Sequence, residues 1–291
     1  MAPNFVTLPD GRQLSYDLSG PTEGPIVLLS NSLLANYTTW DHFVKDLHAQ
    51  GFRVLRYDQP GHGASSAPTD PNTTTFLTLA ADVIALLRAL KISKIYTWIG
   101  ISMGAATGAI FAAQNPGVVQ KLILSDTITC SPGNAGIDDP FGPRVELAQT
   151  KPNAIEELTE GTLERWFSEE WRAAHPEETE RMRQLMRTCK REGFIACCHA
   201  LRHESFDLRP YLKKIGPAVE ESLVIVGERD ANLPTTMAQM RDEIQSASKS
   251  RVGWAVIKKA GHVPVIDNRE QFTEVVLKFL KGGSDSLRSK A

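Results

Sequence analysis

The run Gly100-Ile101-Ser102-Met103-Gly104 is the segment of this chain whose residue types and spacing most directly suggest chemistry. It follows an apolar, β-rich run, Ile95–Ile99, and precedes helical spacing from Met103 to Gln114. A serine on such a strand-to-helix turn presents its hydroxyl as a nucleophile. Glycines suit positions 100 and 104 because the turn is tight and larger side chains would meet neighbouring backbone. The N-terminus of the following helix turns its positive end toward the serine. The plainer alternative is a glycine-rich turn carrying a surface serine; the setting between strand and helix argues for the nucleophile.

A serine hydroxyl needs a base. His42, His48, His62, His175, His199, His203 and His262 compete. Only His262 follows the last expected strand, in the loop Lys258–His262 ahead of the final helix, which completes the chain order Ser, Asp/Glu, His. His62, in the Gly61–Gly63 turn, is expected to be structural. The orienting carboxylate is expected to be Asp230, in Gly227-Glu228-Arg229-Asp230, with Asp126 and Glu228 as rivals. It would hold the imidazole in one tautomer and stabilise the imidazolium that forms. One oxyanion donor is expected to be the Met103 N–H. The other comes from the loop Asn31–Ala35, with Leu33 the candidate and Ser32 and Leu34 one residue away.

These groups need a frame to hold them. The first half of the chain alternates strand and helix patterns: strands at Gln13–Leu18, Pro25–Ser30, Arg53–Tyr57, Ile95–Ile99 and Lys121–Ser125, and helices at Trp40–Gln50, Phe76–Leu90 and Met103–Gln114. From Cys130 to Ile215 no strand is expected, and Glu156–Trp171 and Glu177–Ala200 read as helices. Alternation resumes with strands Ser222–Gly227 and Arg251–Ile257 and helices near Thr235–Ile244 and Glu270–Leu280. Such alternation predicts an α/β fold with a parallel sheet. Residues of about 1–129 and 216–291 form its core, and 130–215 an inserted helical cap. The Gly/Ser-rich tail from Lys281 is expected to fray. Ser289-Lys290-Ala291 departs from the peroxisomal S-K-L address at its last position and reads as a plain tail.

Composition narrows the partners. The formal net charge of the 291 residues is −2, with 42% hydrophobic and 23% charged residues. That balance offers no polybasic surface for nucleic acid or an anionic membrane. Four cysteines do not make a disulfide scaffold at this length. No secretory signal or membrane-spanning run is read, which points to a reduced, cytoplasmic, soluble protein. No zinc-type spacing occurs, so no metal or cofactor is expected.

The segments Ser30-Asn31-Ser32-Leu33, Trp40-Asp41, Phe52–Asp58, Gly61-His62-Gly63-Ala64-Ser65, Gly100–Gly104 and Asp207-Leu208-Arg209 resemble the α/β-hydrolase superfamily, in particular its 3-oxoadipate enol-lactonases. The resemblance implies a mostly parallel central sheet flanked by helices, with an inserted cap. It implies Ser102, Asp230 and His262 as triad and Leu33 and Met103 as oxyanion donors. The chain departs from the family pattern at Leu34 and Ala105, where Gly is usual, and at Pro60, where Arg is frequent. The expected reaction is hydrolysis of a small-molecule ester or lactone through an acyl-enzyme, with the oligomeric state left open. Trp166, Trp171, His203 and Arg165 are candidate pocket residues on the cap, and Arg165, Arg202 or Arg209 could pair with a substrate carboxylate. Two other readings use the same residues: a C–C bond hydrolase of a β-diketone or ring-cleavage product, and a non-enzymatic small-molecule receptor.

Overall fold

The computed structural model describes residues 3–287. Among them, eight strands form one sheet: β1 (Asn4–Thr7), β2 (Gln13–Ser19), β3 (Ile26–Ser30), β4 (Arg53–Tyr57), β5 (Ile95–Ile101), β6 (Val119–Ser125), β7 (Glu221–Gly227) and β8 (Gly253–Ile257), in the order β1-β2-β4-β3-β5-β6-β7-β8. β1 and β2 pair antiparallel, as do β2 and β4, and every other pairing is parallel. The apolar runs of β3, β5, β6 and β7 are buried almost throughout. Strands covered by helices on both faces need such runs.

Register brings the chemistry together. Ser30 lies opposite Gly100, Ile101 opposite Ser125, Ser125 opposite Ile225 and Gly227 opposite Ile257. The loops after β3, β5, β6, β7 and β8 therefore leave the sheet at one edge, the carboxyl ends of the parallel strands, where α/β sheets place their ligands. The α/β architecture expected from the sequence is the one observed. β1 was not anticipated: only Val6 of its four residues is buried, and it exists because it pairs with β2 across the Asp10-Gly11 turn.

Between β6 and β7 the chain forms the helices Pro132–Ala135, Gly142–Thr150, Ala154–Trp166, Glu169–Ala174, Pro176–Arg187, Arg191–Arg202 and Arg209–Ala218. A single bridge, Cys130 with Asp207, is the one extended pairing among the described residues of this stretch. The two long helices expected here are each interrupted. The first stops at Trp166, and Ser168 caps the next by accepting the Trp171 N–H at 3.2 Å. The second breaks where Lys190 turns to the core, its N–H donating to Gly61 O at 2.7 Å and its Nζ to Ser65 O at 2.8 Å. Gly61 and Gly193 touch there: a Cβ on Gly193 would lie 2.4 Å from Gly61 Cα. The boundary expected at residue 215 falls inside the helix Arg209–Ala218, which packs on the core helices Met103–Gln114 and Leu233–Gln245.

The fraying expected from Lys281 does not begin there. The last helix, Arg269–Gly282, runs into a 3-10 turn at Ser284–Leu287. Ser284 is buried, donating its N–H to Glu221 Oε1 at 3.1 Å and its hydroxyl to Ser222 O at 3.3 Å. Ser289-Lys290-Ala291 lie outside the described residues. Among the described residues no helix is long and apolar enough to cross a membrane.

Candidate active site

Ser102 joins β5 to the helix Met103–Gln114 with φ 56° and ψ −116°, a strained conformation for a non-glycine residue. Its neighbours enforce it. A Cβ on Gly100 would lie 2.3 Å from Gly104 C, and one on Gly104 would lie 2.2 Å from Ser30 O. The Ser102 N–H donates to Ser125 O at 2.8 Å, and its hydroxyl does not cap the helix. Gly104→Ala is therefore expected to push the helix off β3 and cost about 1–3 kcal/mol, read by urea unfolding.

The loop after β3 is built around Asn31. Its Nδ2 donates to Tyr57 O at 2.9 Å, and its Oδ1 accepts the Trp40 Nε1–H at 2.6 Å. Its carbonyl accepts Gly104 N–H at 2.9 Å and Gln59 Nε2 at 2.8 Å. Among the described residues neither Leu33 N–H nor Met103 N–H has an acceptor in the protein. The Leu34 N–H is taken by His62 Nε2 at 3.0 Å, which removes it as an oxyanion donor. His62 donates from Nδ1 to Pro60 O at 3.0 Å, and burial depresses it to about 4, so it stays neutral and structural. Leu34 has φ 67°, in the left-handed region where the resemblance places a glycine.

His262 and Asp230 meet across the loops after β8 and β7: His262 Nδ1 lies 2.7 Å from Asp230 Oδ2, and both residues are buried. Burial works to raise the Asp230 carboxyl, but the charge and hydrogen bond of His262, with help from Asp126 and Arg165, hold it below its ordinary value. Asp126 goes the other way. It is fully buried and stands against the charge of Asp230, so its carboxyl is pushed well up. It accepts the Gly227 N–H at 2.7 Å and the Ser125 hydroxyl at 2.5 Å. Glu228 is exposed and engaged elsewhere, with Lys258 Nζ and Lys259 N–H each at 2.8 Å. Of the three candidate acids, Asp230 alone bonds the histidine.

The helices between β6 and β7 reach this pair through Trp166, whose buried ring lies 5.5 Å from the His262 ring, centroid to centroid. Arg165 precedes it. Its side chain is exposed, yet desolvation first and then the nearby Arg144 depress it to about 10, with Asp230 opposing. Neither Arg165 nor Arg144 has an ion pair among the described residues. Arg202 and Arg209 are neutralised by Asp139 and Asp207. Arg144 carried no sequence signal, because its position beside Arg165 comes only from helix packing. The contacts of the other two pocket candidates run elsewhere: Trp171 stacks between Phe167 and His175, and His203 lies against His199 and Ser205. A cavity of about 850 Å³ beside the loops of Asp126 and Asp230 is lined by Ile128, Phe141, Leu233 and Met240 among others, but not by Ser102 or His262.

A parallel sheet whose carboxyl edge carries both a strained strand-to-helix serine and a buried Asp–His pair defines a class of α/β fold. The profile described as alpha/beta hydrolase fold matches residues 25–269, and the chain belongs to that family. It is 29% identical over 268 residues to 3-oxoadipate enol-lactonase 2 of Acinetobacter baylyi, covering 92% of this chain and 93% of that protein. The crystal structure of the enol-lactonase from Burkholderia xenovorans LB400 matches it with a TM-score of 0.82 at 31% identity, over 96% of this chain and 100% of that one. A thermophilic esterase from Thermogutta terrifontis, solved with malate bound, matches with a TM-score of 0.82 at 25% identity, over 98% of this chain and 100% of the other.

Proposed function

We propose that this protein hydrolyses a small carboxylic ester or lactone, with Ser102 as nucleophile, His262 as general base and acid, and Asp230 as the carboxylate that orients it. The observation that carries this is the 2.7 Å bond between His262 Nδ1 and Asp230 Oδ2, at the sheet edge where Ser102 is held at φ 56°. That bond leaves Nε2 as the nitrogen facing the reaction. Nε2 takes the Ser102 proton as Oγ attacks the carbonyl carbon. The carbonyl oxygen gains the charge and is met by the Leu33 and Met103 N–H groups, each contributing about 3–4 kcal/mol to its stabilisation. Collapse breaks the acyl C–O bond, and His262 returns the proton to the leaving oxygen, which in a lactone stays tethered to the acyl chain. Water, deprotonated by the same imidazole, then releases the acid and restores Ser102.

The helices inserted between β6 and β7 act as the cap over this edge, with Trp166 against the base. The unpaired Arg144 and Arg165 support a substrate that carries a second, free carboxylate beside the scissile carbonyl. The enol-lactonases to which the chain is similar support the lactone assignment. A hydrolysis screen over enol-lactones, aryl esters and β-diketones, each with and without a free carboxylate, tests the reading. Fastest turnover is expected on a carboxylate-bearing lactone or ester, and diketone cleavage without ester cleavage would replace it by C–C hydrolysis. Arg165→Met is expected to raise KM for the carboxylate-bearing substrate by about ten- to a hundredfold, the worth of one charge-assisted hydrogen bond, while KM for its neutral methyl ester stays within twofold.

A further inference from the structure

We propose that Asp267 is a positioning residue for His262: through the Gly261 N–H, its carboxylate fixes the backbone from which the imidazole is presented. The inference rests on His262 being the base. Asp267 ends the short helix Pro264–Asp267, just beyond His262. Its Oδ2 accepts the Gly261 N–H at 2.6 Å. Gly261 is enclosed on two further sides. A Cβ there would lie 2.2 Å from Trp166 O, and a Cβ on Gly227 would lie 1.9 Å from Gly261 O. The residue before the base is thus gripped by the cap, by the end of β7 and by Asp267. Of the three grips only the carboxylate is a hydrogen bond to a side chain, and so only it can be removed without moving backbone.

Asp267 is a costly acceptor for the Gly261 N–H. Its other oxygen, Oδ1, is buried with no hydrogen-bond partner. Burial pushes the carboxyl up to about 7 from its ordinary 3.8, the bond from Gly261 pulls it down, and the charge of Asp230 adds to the rise. The other titratable groups on the segments packed around it are Glu228 and Arg229 after β7, Lys258, Lys259 and His262 after β8, and Arg165 at the end of the cap helix. The folded protein holds this proton more tightly than the unfolded chain does. Stability therefore declines as the pH rises from about 4 to about 7, and above that the ionised carboxylate is a standing cost. A buried carboxyl raised to about 7 and bonded to the residue before the base is a costly arrangement of the kind that clusters at functional sites.

The test compares Asp267→Asn and Asp267→Ala with the wild type in kcat and KM for an aryl ester across pH 5–9, with melting temperatures at pH 5 and 8. The amide keeps an acceptor for Gly261 without the charge. Asp267→Ala is expected to lose about thirty- to a hundredfold in kcat with KM within twofold, the scale of a misplaced catalytic group. Asp267→Asn is expected to recover most of that loss. It should also drop one ionisation near pH 7 from the kcat profile and melt at or above the wild type at pH 8. A folded Asp267→Ala protein with wild-type kcat overturns the proposal. So does a loss confined to KM, or an Asn variant as slow as Ala with an unaltered pH profile. His262→Ala measured alongside separates the two levels: if it keeps full turnover, the base assignment falls, whatever Asp267 does.

Discussion

Ser102→Ala is expected to lower kcat for any ester or lactone the protein turns over by about four to six orders of magnitude, with no covalent labelling by a serine-reactive phosphonate. The hydroxyl does not cap the helix that follows, so its removal leaves the fold intact. The backbone at 102 stores strain at φ 56° and ψ −116°, and alanine inherits that strain unchanged. Ser102→Gly does not. It is expected to be more stable than Ser102→Ala by about 1–3 kcal/mol in urea unfolding while being equally inactive. The pair of variants thus reads both the chemistry and the cost of presenting it. Full turnover by Ser102→Ala would remove the serine from the mechanism.

Asp230→Asn is expected to cost about 10⁴ in kcat, because an amide cannot hold the imidazole in the tautomer that leaves Nε2 free to accept a proton, nor stabilise the imidazolium. Asp126→Asn is expected to cost less than tenfold. Asp126 is a buried carboxyl raised by desolvation and by the charge of Asp230, so an amide mimics its neutral form and keeps an acceptor for the Gly227 N–H. Steady-state kinetics of the two variants on one aryl ester decide the matter. The reverse ranking would move the orienting acid from the end of β7 to the end of β6.

Much of this site is legible in the chain because its parts are local. The elbow needs Gly100 and Gly104 within one turn of Ser102, and a Cβ at either would strike backbone. The order of serine, acid and histidine follows from strands that alternate with helices. Other parts depend on distant contacts and leave no local mark. Leu34 was an open candidate for the oxyanion until His62, 28 residues away, took its N–H. Asp126, Asp230 and Glu228 all follow strands, and only packing shows that Asp230 bonds His262, Asp126 is buried against Asp230 and Glu228 faces Lys258. The long helix expected at 177–200 is broken because distant contacts of Lys190 with Gly61 and Ser65 outweigh a continuous helical pattern, whereas the one expected at 156–171 is broken by a local cap at Ser168.

By itself the sequence determined the alternating α/β core, the interrupting helical stretch and the serine elbow, since periodicity, apolar runs and tight glycine turns act within a few residues. Only the tertiary structure decided the edge strand β1, the neutral role of His62, the meeting of Arg144 with Arg165 and the grip on Gly261. His62 with Leu34, Arg144 with Arg165 and Gly261 with Trp166 pair groups far apart in the chain, and β1 is held by its register with β2; their energies come from desolvation and register, which no short stretch of sequence contains.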